Sequence, residues 1–466
     1  MLVPINLTGG SYRTKSTRES HQTTINLWPR LVDDPFGKSR YILDSFPGQT
    51  LFGSGTGAGR GLHVHKGVLY RVAGSSLYSV SAAGDHIDLG TISGTGMCIF
   101  ASIGDNIVIT SSVAAYQYDG TTITEITDSD LESPISCATI NNQVIYDGDD
   151  ARFASSDVGD ATSINSLNYA TAEAKADDLL RVYTYDQVLY LFGTQTIESW
   201  WNSGLGNPPF DRIEGGVMEK GLGAVYSVAN NDENIFFLGD NNQVYVLKGY
   251  NTDIVSSQFL VKEFDSYSVV DDAIGWCMTL KGQDFYVLTF PTANKTWVYP
   301  IGGQWFEWSS GVEGGRNRAS AYAYAYNKHI VEDHSNGNLL ELDFDSYTEN
   351  GSTFIRQRET APLYAGIYGA PGKRITMNSF QLFLEVGVGI TTGQGSDPEI
   401  MLQVSDDGGK TFSTEIRGTI GKIGEYEHKV EWFALGSFEN RVIRIRVSDP
   451  VYICILDAKA DIEVGI

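Results

Sequence analysis

Few residues in this chain have the types and spacing that chemistry requires. The sharpest run is Ser405-Asp-Asp-Gly-Gly-Lys-Thr-Phe412, which fits the pattern S-x-D-x-G-x-T-F through Ser405, Asp407, Gly409, Thr411 and Phe412. Its physics is that of a hairpin: the carboxylate takes turn amides, glycine permits the turn and the aromatic ring packs beneath. The motif occurs once, and a structural turn is expected. Adjacent acids stand at Asp33-Asp34, Asp149-Asp150, Asp177-Asp178, Asp271-Asp272 and Asp406-Asp407. Neighbours on a strand point to opposite faces, so such pairs do not form a catalytic dyad by themselves. Asp147-Gly-Asp-Asp150 offers oxygen ligands for calcium but lacks the acidic residue that closes a full loop. His63 and His65 share a face if their segment is a strand, yet a metal site needs a third and fourth ligand that the sequence does not place. Core packing is the expected role of both. No GxSxG, HExxH or P-loop is present. Gly53-Ser-Gly-Thr-Gly-Ala-Gly-Arg-Gly61 lacks the following lysine and helix and reads as a flexible loop. Trp200-Trp201 and Trp305-Phe-Glu-Trp308 read as sheet core. No catalytic, cofactor-binding or metal-ligating residue is assigned.

The elements around these residues are strands. The chain has 466 residues, 42% apolar and 19% charged, with 51 Gly, 25 Tyr, 21 Phe and 8 Trp. This is a β-rich composition full of tight turns. From about residue 61 a turn–strand–turn–strand unit recurs, starting near Gly67, Gly104, Asn141, Asp186, Asp232, Gly282 and Asn327, at steps of 37 to 50 residues. A propeller blade holds four strands in about 40–50 residues. Such sheets hide both faces only by stacking radially into a ring. The expectation is an all-β protein: a β-propeller of six or seven blades over 61–345 and a C-terminal antiparallel β-sandwich over 346–466. Residues 1–60 read as an irregular N-terminal arm and lead-in, with Arg13, Lys15, Arg18 and His21 in a polar stretch. Ala170–Arg181 is either a short helix or an extended link between blades. In the last domain strands are expected at Ile375–Val388, Glu399–Ser405, Thr411–Arg417, Glu425–Phe433, Arg441–Ser448, Val451–Asp457 and near Ile462. In Arg441–Val447, Arg444 and Arg446 alternate with apolar neighbours, which face in while the arginines face out.

Charge and length exclude several functions. There are 33 basic and 57 acidic residues, a formal charge of −24. A duplex-wrapping surface needs the opposite excess. Apolar stretches such as Tyr452–Leu456 and Ile235–Leu238 fall far short of the roughly 20 residues of a membrane helix. The opening Met1–Thr8 lacks a basic region followed by an apolar core and does not read as a secretory signal. Cys98, Cys137, Cys277 and Cys454 lie far apart, with no CxxC, and read as buried thiols of a protein made in a reducing cytoplasm.

Several blocks resemble the packaged-DNA stabilisation, or tail hub (nozzle), family of short-tailed bacteriophages. They are Asn26-Leu-Trp-Pro29, Ser45-Phe-Pro-Gly48, Gly67-Val-Leu-Tyr-Arg-Val72, Leu77-Tyr78, Leu167–Glu173, Leu191–Trp200, Met218–Leu222, Val244–Gly249, Ser405–Gly409 and Arg441–Val447. The resemblance touches most of the chain. It implies a virion structural protein made and assembled in the host bacterial cytoplasm and located in the virion tail. Six copies would form a ring below the portal and its adaptor ring. That ring would extend the DNA channel, help retain packaged DNA and offer attachment to tail spikes or fibres and to a distal needle or plug. DNA would pass without sequence-specific binding. No enzyme activity and no cofactor is implied. The alternative is a sialidase-like or glycan-binding propeller, since the Ser405–Phe412 pattern is the Asp box of sialidases. A retaining sialidase also needs an arginine cluster and a Tyr–Glu nucleophile pair. Arg316, Arg318, Arg356 and Arg358 are available, but no spacing singles them out. A third reading, a surface adhesin, would need a secretion signal.

Overall fold

A computed structural model describes residues 1–465 except 15, 17–18, 34–38, 130, 132–133, 150, 173 and 176. Lys15, Arg18, Asp34, Asp150 and Glu173 therefore lie outside the described residues. The chain is all-β. Helix among the described residues is limited to Gln258–Asp265 and two 3-10 turns, Val225–Ser227 and Ala365–Tyr368.

Among the described residues, six self-contained four-stranded sheets stand in a ring with a seventh four-strand unit whose sheet continues outward. In chain order the units are blade 1 (59–91), blade 2 (99–125), blade 3 (137–171), blade 4 (179–218), blade 5 (229–254), blade 6 (274–307, the continuing one) and blade 7 (319–343). Each of the seven recurring sequence units marks the first hairpin of one blade. The turn residues explain why they were visible. Asn141–Asn142, Asp186–Gln187 and Lys281–Gly282 hold both central residues at positive φ. That geometry matches the right-handed twist of the flanking strands. Blade 5 instead turns through Asn231, whose side-chain oxygen accepts the amides of Glu233 and Asn234 at 3.2 and 2.8 Å.

Seven separate apolar cores fill the seven seams of the ring. Blade 1 packs on blade 2 through Val72, Leu77, Ile107 and Ile109. The series runs round to blade 6 on blade 7, where Trp276, Phe285, Trp308, Val331 and Leu340 meet. Burial on this scale is the main source of stability, at about 25 cal/mol per Å² of apolar surface. The closing seam, blade 7 on blade 1, has a small apolar set of Leu69, Val80, Ala323, Ala325, Ile330 and Leu339. It adds a buried ion pair, Arg71 Nη2 to Glu332 at 2.8 Å, both side chains fully buried.

Residues 1–60 are not an irregular lead-in. Gly48–Gly53 is the fourth strand of blade 7, paired with Leu339–Asp343, so the N-terminal segment closes the wheel. Leu2–Pro4 pairs with the C-terminal strand, and Leu27–Asp33 and Ser39–Ser45 join the same sandwich sheet. Leu27–Asp33 and Ser39–Ser45 pair with each other, but every other partner lies hundreds of residues away, so no local pattern discloses where the segment docks. The glycine run is also only partly a loop: Gly59–His65 is the inner strand of blade 1. A Cβ on Gly59 would sit 2.2 Å from the Glu332 side chain. Glycine there permits close approach at the closing seam rather than flexibility.

The C-terminal domain is a two-sheet sandwich. One sheet runs Val430–Phe433, Ile375–Leu384, Cys454–Val464, Ser39–Ser45, Leu27–Asp33. The other is the continuation of blade 6: Phe306–Glu307 meets His21–Ile25 in parallel, followed by Arg356–Glu359, Asn440–Val447, Glu399–Ser405 and Ile416–Thr419. Ile400, Leu402, Ile443 and Ile445 of this sheet meet Phe380, Leu382, Ile455 and Ala460 of the first. One hydrogen-bonded sheet thus spans wheel and sandwich. Asn26 pins the junction at φ 56°, its amide donating to Ser309 O at 2.9 Å and Ile355 O at 2.7 Å.

Two local expectations need correction, and Ala170–Arg181 takes the extended one of its two readings. The Thr411–Arg417 strand forms later, at Ile416–Thr419, because the Ser405–Phe412 turn consumes the preceding residues. Val451–Asp457 and the strand near Ile462 are one strand, Cys454–Val464. Ala170–Arg181 shows no helix among its described residues, and its ends belong to strands Asp160–Thr171 and Leu179–Tyr185. The α-helix Gln258–Asp265 is capped by Ser257, whose side chain accepts from Leu260 N, and it buries Phe259, Leu260 and Phe264.

Candidate functional site

The Asp-box turn is complete in its hydrogen bonds. Ser405 Oγ donates to Asp407 Oδ1 at 2.7 Å, and Gly409 N donates to Ser405 Oγ at 2.8 Å. The Asp407 carboxylate also takes the amides of Lys410 and Thr411 and the Thr411 hydroxyl. The Thr411 and Ser405 side chains, with those amides, hold Asp407 well below the usual carboxylate range. Asp406 grips Arg441 through two bonds of 2.7 and 2.8 Å. Phe412 lies under the Arg444 guanidinium, 3.3 Å from ring centre, and Arg444 bonds Glu359 at 2.7 Å. Gly409, at φ +85°, fits against the His21 ring, where a Cβ would fall 2.3 Å from Cδ2. The motif is therefore a clasp inside the sandwich, holding the N-terminal segment. Asp407→Ala is expected to accelerate hydrogen exchange at the Lys410 and Thr411 amides while leaving Asn440–Val447 protected. Unchanged exchange at both amides contradicts this role.

The four candidate arginines do not converge. Arg316 bonds His334 at 2.6 Å and Arg318 bonds Asp333 at 3.4 Å, both near the blade 6–7 link. Arg356 and Arg358 lie buried in the sheet that joins wheel to sandwich. Arg358 donates to Leu7 O, Gly10 O, Thr24 Oγ1 and Gln22 Oε1. It is a clamp on the N-terminal segment.

His63 and His65 do share a face, and both reach Ser102 Oγ on blade 2, at 2.7 and 2.9 Å. His65 Nε2 lies 3.2 Å from the Asp105 carbonyl. Donation there leaves Nδ1 to accept the Ser102 hydroxyl, and His63 Nε2–H then donates to Ser102 Oγ. Burial, then His65, lowers the His63 pKa to about 4. Both rings are a seam contact between blades 1 and 2. Asp147 is buried, accepts Ser136 N at 2.7 Å and is pushed up to about 7 by burial. The described residues contain no group of three or more His, Cys, Asp or Glu fit for a metal. Trp200, Trp305 and Trp308 are blade core, as the sequence indicates, whereas Trp201 is 48% exposed.

The wheel's axis holds a cavity of about 410 Å³ between inner strands of blades 1, 2, 4, 5, 6 and 7. Its walls include His63, Phe100, Tyr183, Tyr226, Trp276 and Tyr322, and its one arginine is Arg181. No Asp or Glu is among these lining residues. Sequence reasoning passed over Arg181, since nothing in Leu179-Leu-Arg-Val182 marks it. Only closure of the ring brings it to the axis.

Comparisons with known proteins place this architecture. No curated protein sequence matches the chain. Among solved structures it is similar to virginiamycin B lyase from Staphylococcus aureus, with 10% identity over 63% of this chain and 97% of that one and a TM-score of 0.43. It is similar to the Pan2 WD40 domain of Neurospora crassa, with 8% identity over 63% and 95% and a TM-score of 0.43. It is also similar to BamB from Moraxella catarrhalis, with 10% identity over 74% and 98% and a TM-score of 0.38. Similarities this distant carry no argument about function. No helix among the described residues is long and apolar enough to cross a membrane. Two family models do cover the chain, the bacteriophage P22 Gp10 β-propeller over residues 1–347 and the bacteriophage P22 Gp10 β-sandwich over residues 360–463. Together they show that this chain belongs to the bacteriophage P22 Gp10 family of phage tail hub proteins, in the same order of propeller and sandwich that its strands build.

Proposed function

We propose that this chain is the repeating subunit of a tail hub: six copies form a ring below the portal and its adaptor. The ring extends the DNA channel, helps retain packaged DNA, and carries spikes or fibres and a distal plug. It is assembled in the host cytoplasm and catalyses no reaction. We take 61–345 and 346–466 as its two working units, with residues 1–60 stitched through both. The observation that carries the reading is the sheet running from blade 6 through His21–Ile25 into the sandwich. A continuous hydrogen-bonded sheet fixes the angle between two binding bodies, which a ring under DNA pressure needs and a single-substrate enzyme does not. The axial lining supports it too, since a retaining sialidase needs an arginine cluster and a Tyr–Glu nucleophile pair and this lining has one arginine and no Glu.

The test is the mass of the purified chain by light scattering, alone and with the purified adaptor ring, followed by electron microscopy. A ring of six copies, or six bound per adaptor assembly, is the expected result. A chain that stays monomeric with the adaptor present, or one that turns over a sialoside, overturns the proposal.

A further inference from the structure

Arg181 makes fewer side-chain hydrogen bonds than the other buried arginines among the described residues. Arg71 pairs with Glu332, Arg441 with Asp406, and Arg60 donates to the carbonyls of Gly74, Ile92, Ser93 and Gly96. Arg181 is only 8% exposed, yet among the described residues its one side-chain hydrogen bond is from Nη1 to Val225 O at 2.6 Å. Its Nε has no partner, and no ion pair reaches it among the described residues. A guanidinium stays protonated in proteins, and a buried cation is costly unless paired. Asp147 contributes only a distant field, the last of those raising the Arg181 pKa against burial.

The surroundings describe what would satisfy it. The guanidinium lies 5.4 Å from the Tyr183 ring centre. Across the cavity Trp276 stacks on Tyr322 at 5.4 Å and 11°, and Trp276 Nε1 also lacks a partner. The axial cavity thus combines an uncompensated cation, flat aromatic walls and no carboxylate. A second cavity of about 450 Å³ shares Asn230 and Tyr322 with it and extends toward Tyr324 and His329.

We propose that the propeller axis is a binding site for a small carboxylate borne on a ring, with the carboxylate on Arg181 and the ring against Trp276, Tyr322 and Tyr183. Aromatic faces take either a sugar's C–H face or an aromatic ring, so the source is an acidic monosaccharide or an aromatic acid. The lining carries no Asp or Glu and its His63 is held against Ser102 at 2.7 Å, so the ligand is held and not cleaved. This site goes beyond the hub reading and does not depend on it.

Calorimetric titration of the full chain with glucuronate and with benzoate, each against its neutral partner (methyl glucoside, benzamide), tests it. Saturable binding of one carboxylate with Kd on the order of 1 mM is expected, with the neutral partner silent. Arg181→Met weakens it at least about tenfold, Arg181→Lys less. Should Arg181→Met not fold, Tyr322→Ala replaces it and is expected to weaken the same carboxylate. No saturation by either carboxylate overturns the site, as does equal binding of the neutral partner or full binding by the Arg181→Met or Tyr322→Ala protein. Light scattering on the same samples keeps failure to bind separate from failure to assemble.

Discussion

Glu332→Ala is expected to cost about 3–5 kcal/mol of unfolding free energy, read as a fall in urea midpoint at unchanged slope. Glu332 lies on blade 7 and is fully buried. It accepts hydrogen bonds from Arg71 Nε at 3.0 Å and from Gly61 N at 2.9 Å, and it pairs ionically with Arg71 Nη2 at 2.8 Å. Both partners belong to blade 1, so both hydrogen bonds and the ion pair cross the closing seam. Removing the carboxylate leaves a buried guanidinium whose remaining contacts are Gly337 O and His86. The pair is not indispensable by itself. Arg71→Met combined with Glu332→Leu is expected to recover much of the loss, because desolvation has consumed most of the pair's attraction. A double variant as unstable as Glu332→Ala would instead assign the loss to packing.

The same residue gives a signed pH dependence. Burial raises the Glu332 carboxyl from 4.5 to about 7, against the opposing pull of Arg71. Between those values the native protein holds a proton that the unfolded chain releases. Its contribution to stability is therefore full below pH 4.5 and is lost as pH rises through about 7. Glu332→Gln carries no such proton. Wild-type stability measured relative to Glu332→Gln is expected to fall across this window and level off above it. A rise across the window would mean that Arg71 outweighs burial.

How the wheel closes separates what the sequence discloses from what it hides. The first hairpin of every blade was legible because its turn needs particular residue types, as at Asn141–Asn142 and Lys281–Gly282. The blade spacing followed. Gly48–Gly53 was not legible, since its partner Leu339–Asp343 lies some 290 residues on. Gly59 looked like loop because a glycine chosen for close approach and one chosen for flexibility have the same letter. The Asp box was legible as a turn but not as the support for His21. Among the arginines the sequence offered four for a substrate carboxylate. The structure uses Arg358 as a clamp and leaves Arg181, which no motif marks, at the axis. Burial and partners separate these roles, and both are properties of the closed ring.

The clamp yields the other large effect. Arg358→Ala is expected to destabilise the protein by about 3 kcal/mol or more, because each buried group left unpaired costs about 1–3 kcal/mol. Arg358 is fully buried. Its Nη1 reaches Gly10 O at 2.9 Å and Thr24 Oγ1 at 2.7 Å, its Nη2 reaches Gln22 Oε1 at 2.7 Å, and its Nε donates to Leu7 O. Four acceptors at three stations of the N-terminal segment converge on one planar fork. Burial lowers the Arg358 pKa to about 9, which still leaves it charged at neutral pH. Arg358→Lys offers a single ammonium and is expected to restore less than half of the loss. The damage should be local first: limited proteolysis is expected to cut within residues 7–24 before any blade, and the freed His21–Ile25 strand uncouples sandwich from wheel. In the proposed hub, Arg358→Ala then lowers ring yield even at temperatures where the wheel stays folded. Intact rings from a clipped Arg358→Ala protein would show that assembly tolerates a loose sandwich and that the continuous sheet is not what sets the ring's geometry.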